Sequence, residues 1–464
     1  MSKNEFKGII FFFCLLLLIQ PLNLINPLFA QTIFKSNSNS ILIAKKHSKY
    51  RSKKKRRQKA RQNNRKIRRL KKKNKKINSS FGNLSGINFG HEVRYLTEQK
   101  SDKIETNRAY LTLMNKATYE TDNSSTTYAL DANGTIFYDE AFDWNLSSLY
   151  LDRISSISNL SFGIQNISWG QTFGFQVADV VCPRDYTDPI NSTRLSIAAI
   201  NFKLIFSKVS LQAIYALPRN NKLPKKDSSF FPPKLLNITQ YEYHEYDNFS
   251  DKYYLNDAEF GGRINYFFNF GLDISLLYYD HWNRNMLYEA SLTTTGILIK
   301  PVRERVKTIG LTYSMAFEKV VLRGDAVTHL NYPISLGGLG TYEKTDFYQT
   351  IVGVDYTNDA NWTFGMQIHL NSFESTNAYW TGLSFQGDLF NKHIEWKLLI
   401  FKGLEGNDLW IQPKITWLML NHLNLILEAD FIDSSDLSTA NTKNELFPFY
   451  KKHDRIHTNI KFNF

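Results

Sequence analysis

The chain ends on "HTNIKFNF", His457 to Phe464, eight residues in which polar and apolar side chains alternate until an aromatic closes the sequence. Alternation with a period of two marks a strand whose faces meet different media, because successive side chains leave opposite sides of the pleat. Ile460, Phe462 and Phe464 share one face, and His457, Asn459, Lys461 and Asn463 share the other. One such octapeptide would suit a soluble sandwich equally well, and so would its recurrence alone; long segments, an export signal and the closing aromatic on the apolar face separate a membrane barrel from a sandwich.

The pattern recurs along the body of the chain. In "WTFGMQIHLN", Trp362, Phe364, Met366, Ile368 and Leu370 oppose Thr363, Gly365, Gln367, His369 and Asn371. In "NLILEADF", Leu423, Leu425, Leu427, Ala429 and Phe431 oppose Asn424, Ile426, Glu428 and Asp430. "KVVLRGDAVTH" sets Val320, Leu322, Gly324, Ala326 and Thr328 against Val321, Arg323, Asp325, Val327 and His329. "DAEFGGRINYFF" sets Phe260, Ile264, Tyr266 and Phe268 against Asp257, Glu259, Arg263 and Asn265. Dyad segments of about ten residues bounded by turn residues are the signal of a membrane β-barrel. Aromatic residues gather near segment ends, at Tyr278, Trp282, Tyr348, Tyr356 and Trp362, as interfacial girdles do.

Connections fall into two kinds. Short ones lie near Phe206 to Lys208, Asn269, Phe317 to Glu318, Asn358 to Asn361, Asn391 to Lys392, and Asn421 to His422. Long ones run from Thr172 to Asn191, Pro218 to Asn256, Asn283 to Glu304, Asn331 to Thr345, and Ser434 to Arg455. Short periplasmic turns alternating with long outer loops predict, over 81–464, a single all-β transmembrane antiparallel barrel of about 18 strands, with 16 the neighbouring even count.

The N-terminus bears on compartment. Lys3 and Lys7 precede "IIFFFCLLLLI", and "LFA" at Leu28 to Ala30 follows, the layout of a secretory signal peptide over 1–30. The apolar run from Ile9 to Ile19 is short for a membrane anchor. Removing it leaves one cysteine, Cys182, which excludes an intrachain disulfide. Aromatic residues at 14% favour β structure.

The net charge of +14 is a local property. Lys45 to Lys76 holds 20 Lys and Arg and no acid, and subtracting these cations leaves −6 on the rest. The 31–80 segment has too few apolar residues to build a core and reads as disordered. Behind a signal peptide such a run meets no nucleic acid. Its polyanions in the periplasm are peptidoglycan, anionic lipid headgroups or lipopolysaccharide phosphates, and a solvated linker with no dedicated partner is the alternative.

"WGQTFGFQVADVVCPRDYTDP", Trp169 to Pro189, resembles a motif of porin-like outer-membrane barrel families of Gram-negative bacteria, in which a strand ending in Trp-Gly leads into an Asp-Val-x-x-Pro-x-Asp loop. "VVLRGDAVTH" resembles an Arg-Gly/Ala-acid segment of the same families, whereas Cys182 stands where the loop motif has Asn. The resemblance implies bacterial outer-membrane localisation, contact with outer-membrane lipid and lipopolysaccharide, and recognition by the barrel assembly machinery. Phe464, with Phe462, resembles the C-terminal signal that this machinery reads.

Within 172–190, Asp179, Arg184, Asp185 and Asp188 offer both signs of charge while Pro183 and Pro189 stiffen the chain. An inward-folded constriction with a transverse field is one role for them, and internal pairing that holds the loop is the other. The pleat assigns Glu92, Arg94, Arg108, Lys116, Arg263, Asp273, Arg323, Asp325, Lys414, Glu428 and Asp430 to the lumen, a mixture that predicts modest ion preference.

No enzyme is expected. His281 and Asp280 are adjacent on a strand and face opposite sides, and His244 lies in a Tyr-rich loop. "GGLG" within Ser335 to Thr341 lacks the Lys-Ser/Thr of a phosphate loop, and no spacing matches a metal site or a cofactor motif. The function expected is passive or selective passage of small solutes. The alternatives are a plugged surface barrel acting as adhesin or receptor, and a barrel with an envelope-tethering role.

Overall fold

The computed structural model describes residues 83–463 apart from 98–101, 121–126, 140, 225–227, 229, 232–240, 244–254, 286, 295, 336–341, 374–375, 421 and 436–452. The expected signal peptide, the basic segment, the terminal Phe464 and His244 lie outside the described residues, as do the side chains of Glu92, Arg94, Arg108 and Lys116.

The chain order is β1 (Asn83–Thr97), β2 (Asp102–Glu120), β3 (Thr127–Asp139), β4 (Ala141–Ile154), β5 (Ser158–Gln165), β6 (Arg184–Asp185), β7 (Thr193–Arg194) and β8 (Ile197–Ile205). It continues with β9 (Val209–Ala216), β10 (Tyr241–Tyr243), β11 (Glu259–Phe267), β12 (Leu272–Trp282), β13 (Tyr288–Thr293), β14 (Gly296–Pro301) and β15 (Arg305–Phe317). The last are β16 (Val320–Ser335), β17 (Tyr342–Thr357), β18 (Thr363–Phe373), β19 (Thr376–Leu389), β20 (Ile394–Gly403), β21 (Leu409–Leu420), β22 (Leu423–Asp433) and β23 (Arg455–Asn463).

Eighteen of these form one antiparallel sheet in which neighbours in sequence are neighbours in space. The final strand pairs with the first, from Asn88 opposite Asn463 to Leu96 opposite Arg455, and the ring of pairings closes. Closure removes the two open edges whose unpaired N–H and C=O groups would otherwise be exposed. β6 pairs with β7, and β10, β14 and β13 form a small sheet, all within the connections.

Because strands alternate in direction, the strand ends that lead into the β5–β8, β9–β11, β12–β15 and β22–β23 connections lie at one rim, and those that lead into the short turns at the other. The stretch expected as a long connection from Asn331 to Thr345 is strand at both ends, over 331–335 and 342–345. Pairing resumes after a bulge between His329 and Tyr332 and runs to Ser335 opposite Tyr342. Asn331 takes a left-handed conformation (φ 58°) at that bulge, and it is this kink that resembles a turn in sequence.

The two faces differ as the pleat requires. On β12, Ser275, Leu277, Tyr279 and His281 are buried in the lumen, while Leu276 is 57% exposed between them. Phe162, Ile264, Ile309, Ile415, Phe431 and Ile460 are likewise exposed on strands whose opposite face is buried. So continuous an apolar exterior suits a hydrocarbon solvent rather than water. Leu276→Arg should therefore destabilise the barrel by about 2–4 kcal/mol, read as a shift in equilibrium refolding into lipid vesicles.

Candidate functional site

The connection between β5 and β8 folds inward instead of standing over the rim. Its first turn is organised by Asp179, whose carboxylate accepts from Ser168 Oγ at 2.8 Å, the Trp169 N–H at 2.6 Å and the Gly170 N–H at 2.7 Å, and pairs with Arg194. These contacts draw the two arms of the loop together. The apolar side then packs on the lumen wall: Ile167, Trp169, Ala178, Val180, Val181 and Cys182 join Ile197, Ile214, Leu277, Tyr279, Val327 and Ile351 in one cluster. Trp169 donates its indole N–H to Gln212 Oε1 at 3.2 Å and meets Tyr279 edge-on at 5.6 Å.

Three anchors fix the loop to the wall. Arg284, from the β12–β15 connection, donates to the carbonyls of Val180 at 3.0 Å and Val181 at 2.7 Å and pairs with Glu259. Glu259 is 0% exposed and also accepts from Tyr279 OH and the Trp282 N–H, both at 3.2 Å. On β16, Asp325 accepts from the Gln171 N–H and from Thr172 Oγ1 at 3.1 Å, while Arg323 donates to the Gln171 carbonyl at 3.1 Å and pairs with Asp355.

The third anchor lies across the lumen. Arg455 donates to Asp188 Oδ1 at 2.9 Å and to Asp430 Oδ2 at 2.6 Å, and Gln412 Nε2 donates to Asn191 Oδ1 at 2.9 Å and to Asp430 Oδ1 at 2.8 Å. Lys414 pairs with Glu428 at 2.8 Å beside them. Held on β12, β16 and β21–β23, the loop spans the lumen. Between it and the wall lies a cavity of about 1150 Å³, lined among others by Arg184, Asp185, Gln349, Trp410 and Lys414.

The residues singled out in sequence fall into distinct places. Asp179 acts inside the loop, with a side chain 0% exposed. Asp185 accepts from the Thr187 N–H at 3.0 Å and Thr187 Oγ1 at 2.6 Å, and the Arg184 N–H is donated to Asn221 Oδ1 at 3.0 Å, so both line the cavity from a locally braced turn. Asp188 and Asp430 share Arg455. Arg263 sits on the lumen face of β11, and the backbone register sets Arg108 opposite Glu92 and Arg94 opposite His457. His281 faces the lumen, bonded to Thr308 Oγ1 at 2.8 Å, whereas Asp280 pairs with Arg305.

Two anchors escaped sequence reasoning. Arg455 was readable, since it extends the parity of His457 and Asn459, but it stood at the edge of a long connection. Arg284 lies in an irregular loop with no periodic signal.

Burial pushes the Cys182 thiol above its ordinary range, although the Ile167 N–H reaches its Sγ at 3.2 Å. The thiolate is the reactive form. At pH 8 a maleimide should therefore label Cys182 at least tenfold more slowly in the folded barrel than in urea.

No family model matches the chain, and no curated protein matches it either. Solved structures similar to it include OccAB4 of Acinetobacter baumannii, 9% identical, covering 82% of this chain and 97% of that one with a TM-score of 0.48. OccK5 (OpdH) of Pseudomonas aeruginosa is 12% identical, covering 82% and 96%, with a TM-score of 0.47. A triple mutant of the Rhodopseudomonas blastica porin is 13% identical, covering 83% and 100%, with a TM-score of 0.39. At these values no residue of this chain inherits a role from them.

Proposed function

We propose that the chain is an outer-membrane channel for small solutes, narrowed by the loop between β5 and β8. The observation that carries this is the loop itself: it crosses a closed barrel with an apolar exterior and leaves a cavity of about 1150 Å³ beside it. Charges of both signs meet across the lumen: Lys414 pairs with Glu428 and Arg323 with Asp355, while Arg455 is shared by Asp430 on the wall and Asp188 on the loop. Such pairing favours modest ion selectivity. Asp179, Arg184, Asp185 and Asp188 all line the cavity, the place proposed for them in the constriction.

Planar-bilayer recording of purified, refolded protein tests the reading, with discrete conductance steps expected. Their absence would favour a plugged barrel, for which one contact speaks. Phe230, from the β9–β11 connection, is 1% exposed, stacks on His453 at 4.7 Å and packs against Ile190, covering the loop with a second one.

The basic segment and the last residue enter the same proposal as periplasmic tether and assembly signal. Deleting 45–76 should weaken pull-down by peptidoglycan or anionic vesicles, and deleting Phe464 should impair insertion in cells. An unchanged pull-down removes the tether, and normal insertion removes the signal.

A further inference from the structure

Two chemically similar clusters line opposite walls of this lumen, and only one of them is satisfied. On β5, β8 and β9, Gln212 Nε2 donates to Asn201 Oδ1 at 2.9 Å, Asn201 Nδ2 donates to Gln165 Oε1 at 3.2 Å, and the Trp169 indole completes the chain through Gln212. On β18 and β19, Gln367 and Trp380 are equally buried, 1% and 2% exposed. There neither amide atom of Gln367 nor Nε1 of Trp380 has a hydrogen-bond partner among the described residues.

Buried donors and acceptors are almost always paired in native folds, and a group left unpaired calls for a physical reason. The loop supplies the context. Phe175 lies over this part of the wall, its ring 5.0 Å from Phe401, 4.9 Å from His369 and 6.4 Å from Trp380. The loop backbone presses on the amide from the same side. A Cβ at Gly174 would stand 3.2 Å from Gln367 Nε2, and Gly174 takes a φ of 64° to make the approach. On the wall side, a Cβ at Gly382 would stand 3.0 Å from the same nitrogen. An apolar ring thus covers a trough that offers one amide and one indole N–H, beside the cavity that Phe175 and Phe401 line.

We propose that Gln367 and Trp380 form a solute subsite capped by Phe175, and that it takes the hydroxyl groups of an uncharged sugar when the turn at Gly174 and Phe175 lifts from the wall, the anchor at Gln171 and Thr172 staying in place. The chemistry selects the class. Gln367 offers both a donor and acceptors, Trp380 a donor, and the flanking rings offer flat apolar faces to the C–H groups of a sugar ring. Neither subsite residue carries a charge, so an ion entering here would lose hydration without gaining a counter-charge from them. The assignment rests on the channel reading, in which the trough borders the solute path.

The test uses the full chain refolded in detergent and in planar bilayers, with sucrose as probe. Phe175→Ala should bind radiolabelled sucrose in equilibrium dialysis at least tenfold more tightly than the wild type, and its KCl current should fall as sucrose is added. Trp380→Phe on that background keeps an aromatic face, smaller than the indole, and drops the N–H, and should weaken the sucrose response several-fold, as should Gln367→Leu. Heat-modifiable migration on gels confirms that each variant is folded. Sucrose responses that are absent from Phe175→Ala, or unchanged by Trp380→Phe and Gln367→Leu, would overturn the proposal and leave a buried water as the partner of these atoms. Absence of current from every protein, wild type included, would overturn the channel reading, and the dialysis would still decide the subsite.

Discussion

Replacing Arg284 with alanine should enlarge the single-channel conductance and lower the stability of the folded barrel by about 3–5 kcal/mol. Both effects follow from one geometry. The guanidinium is 9% exposed and pairs with a Glu259 side chain 1% exposed, so its removal strands a carboxylate in a dry wall. The same group donates to the carbonyls of Val180 and Val181, which are the loop's tie to β11 and β12. Arg284→Lys restores charge but not the fork that reaches two carbonyls and a carboxylate together, and should recover only part of the loss. Denaturant titration in vesicles reads the stability, and bilayer recording reads the loop. A variant with wild-type values in both would show that the loop is held elsewhere.

The second large effect is expected at Arg455. Its side chain is 1% exposed and bridges Asp188 at the tip of the loop to Asp430 on the wall, with Asp430 only 2% exposed. Arg455→Ala removes one positive charge and leaves two carboxylates without their shared partner. The loop tip loses its far anchor apart from Asn191, and the lumen becomes more negative at neutral pH. Larger current steps are expected together with a reversal potential shifted toward cation preference in a KCl gradient. Arg455→Ala combined with Asp430→Asn should return most of the selectivity, because the second change neutralises the exposed charge. A shift toward anions would contradict this electrostatic account.

Much of the barrel was legible from the alternation of side chains. The pleat places Arg323, Asp325 and His329 on one face of β16 and Leu322 on the other, and tertiary packing does not override it because each face meets a single medium. Where the expected connection was drawn too long, over 331–335 and 342–345, Asn331 and Pro333 are turn formers in sequence, yet the strand absorbs them at a bulge and Pro333 pairs opposite Lys344.

The site was less legible. Asp179, Arg184, Asp185 and Asp188 stood out as charges within ten residues, but their roles depend on partners that are distant in sequence. Asp188 meets Arg455 across a separation of 267 residues, and Gln171 meets Asp325 across 154. No local period encodes such contacts. Phe175 carries no signal either: in sequence it is one aromatic in a Gly-rich turn, and only the folded loop sets it against Phe401 and His369.

As a channel, the protein would have its passage set by the loop between β5 and β8, which spans the lumen. The decisive experiment is single-channel recording of a protein in which residues 171–193 are replaced by a short Gly-Ser linker. Steps several-fold larger than those of the full chain are predicted, and steps of equal size would contradict that role of the loop.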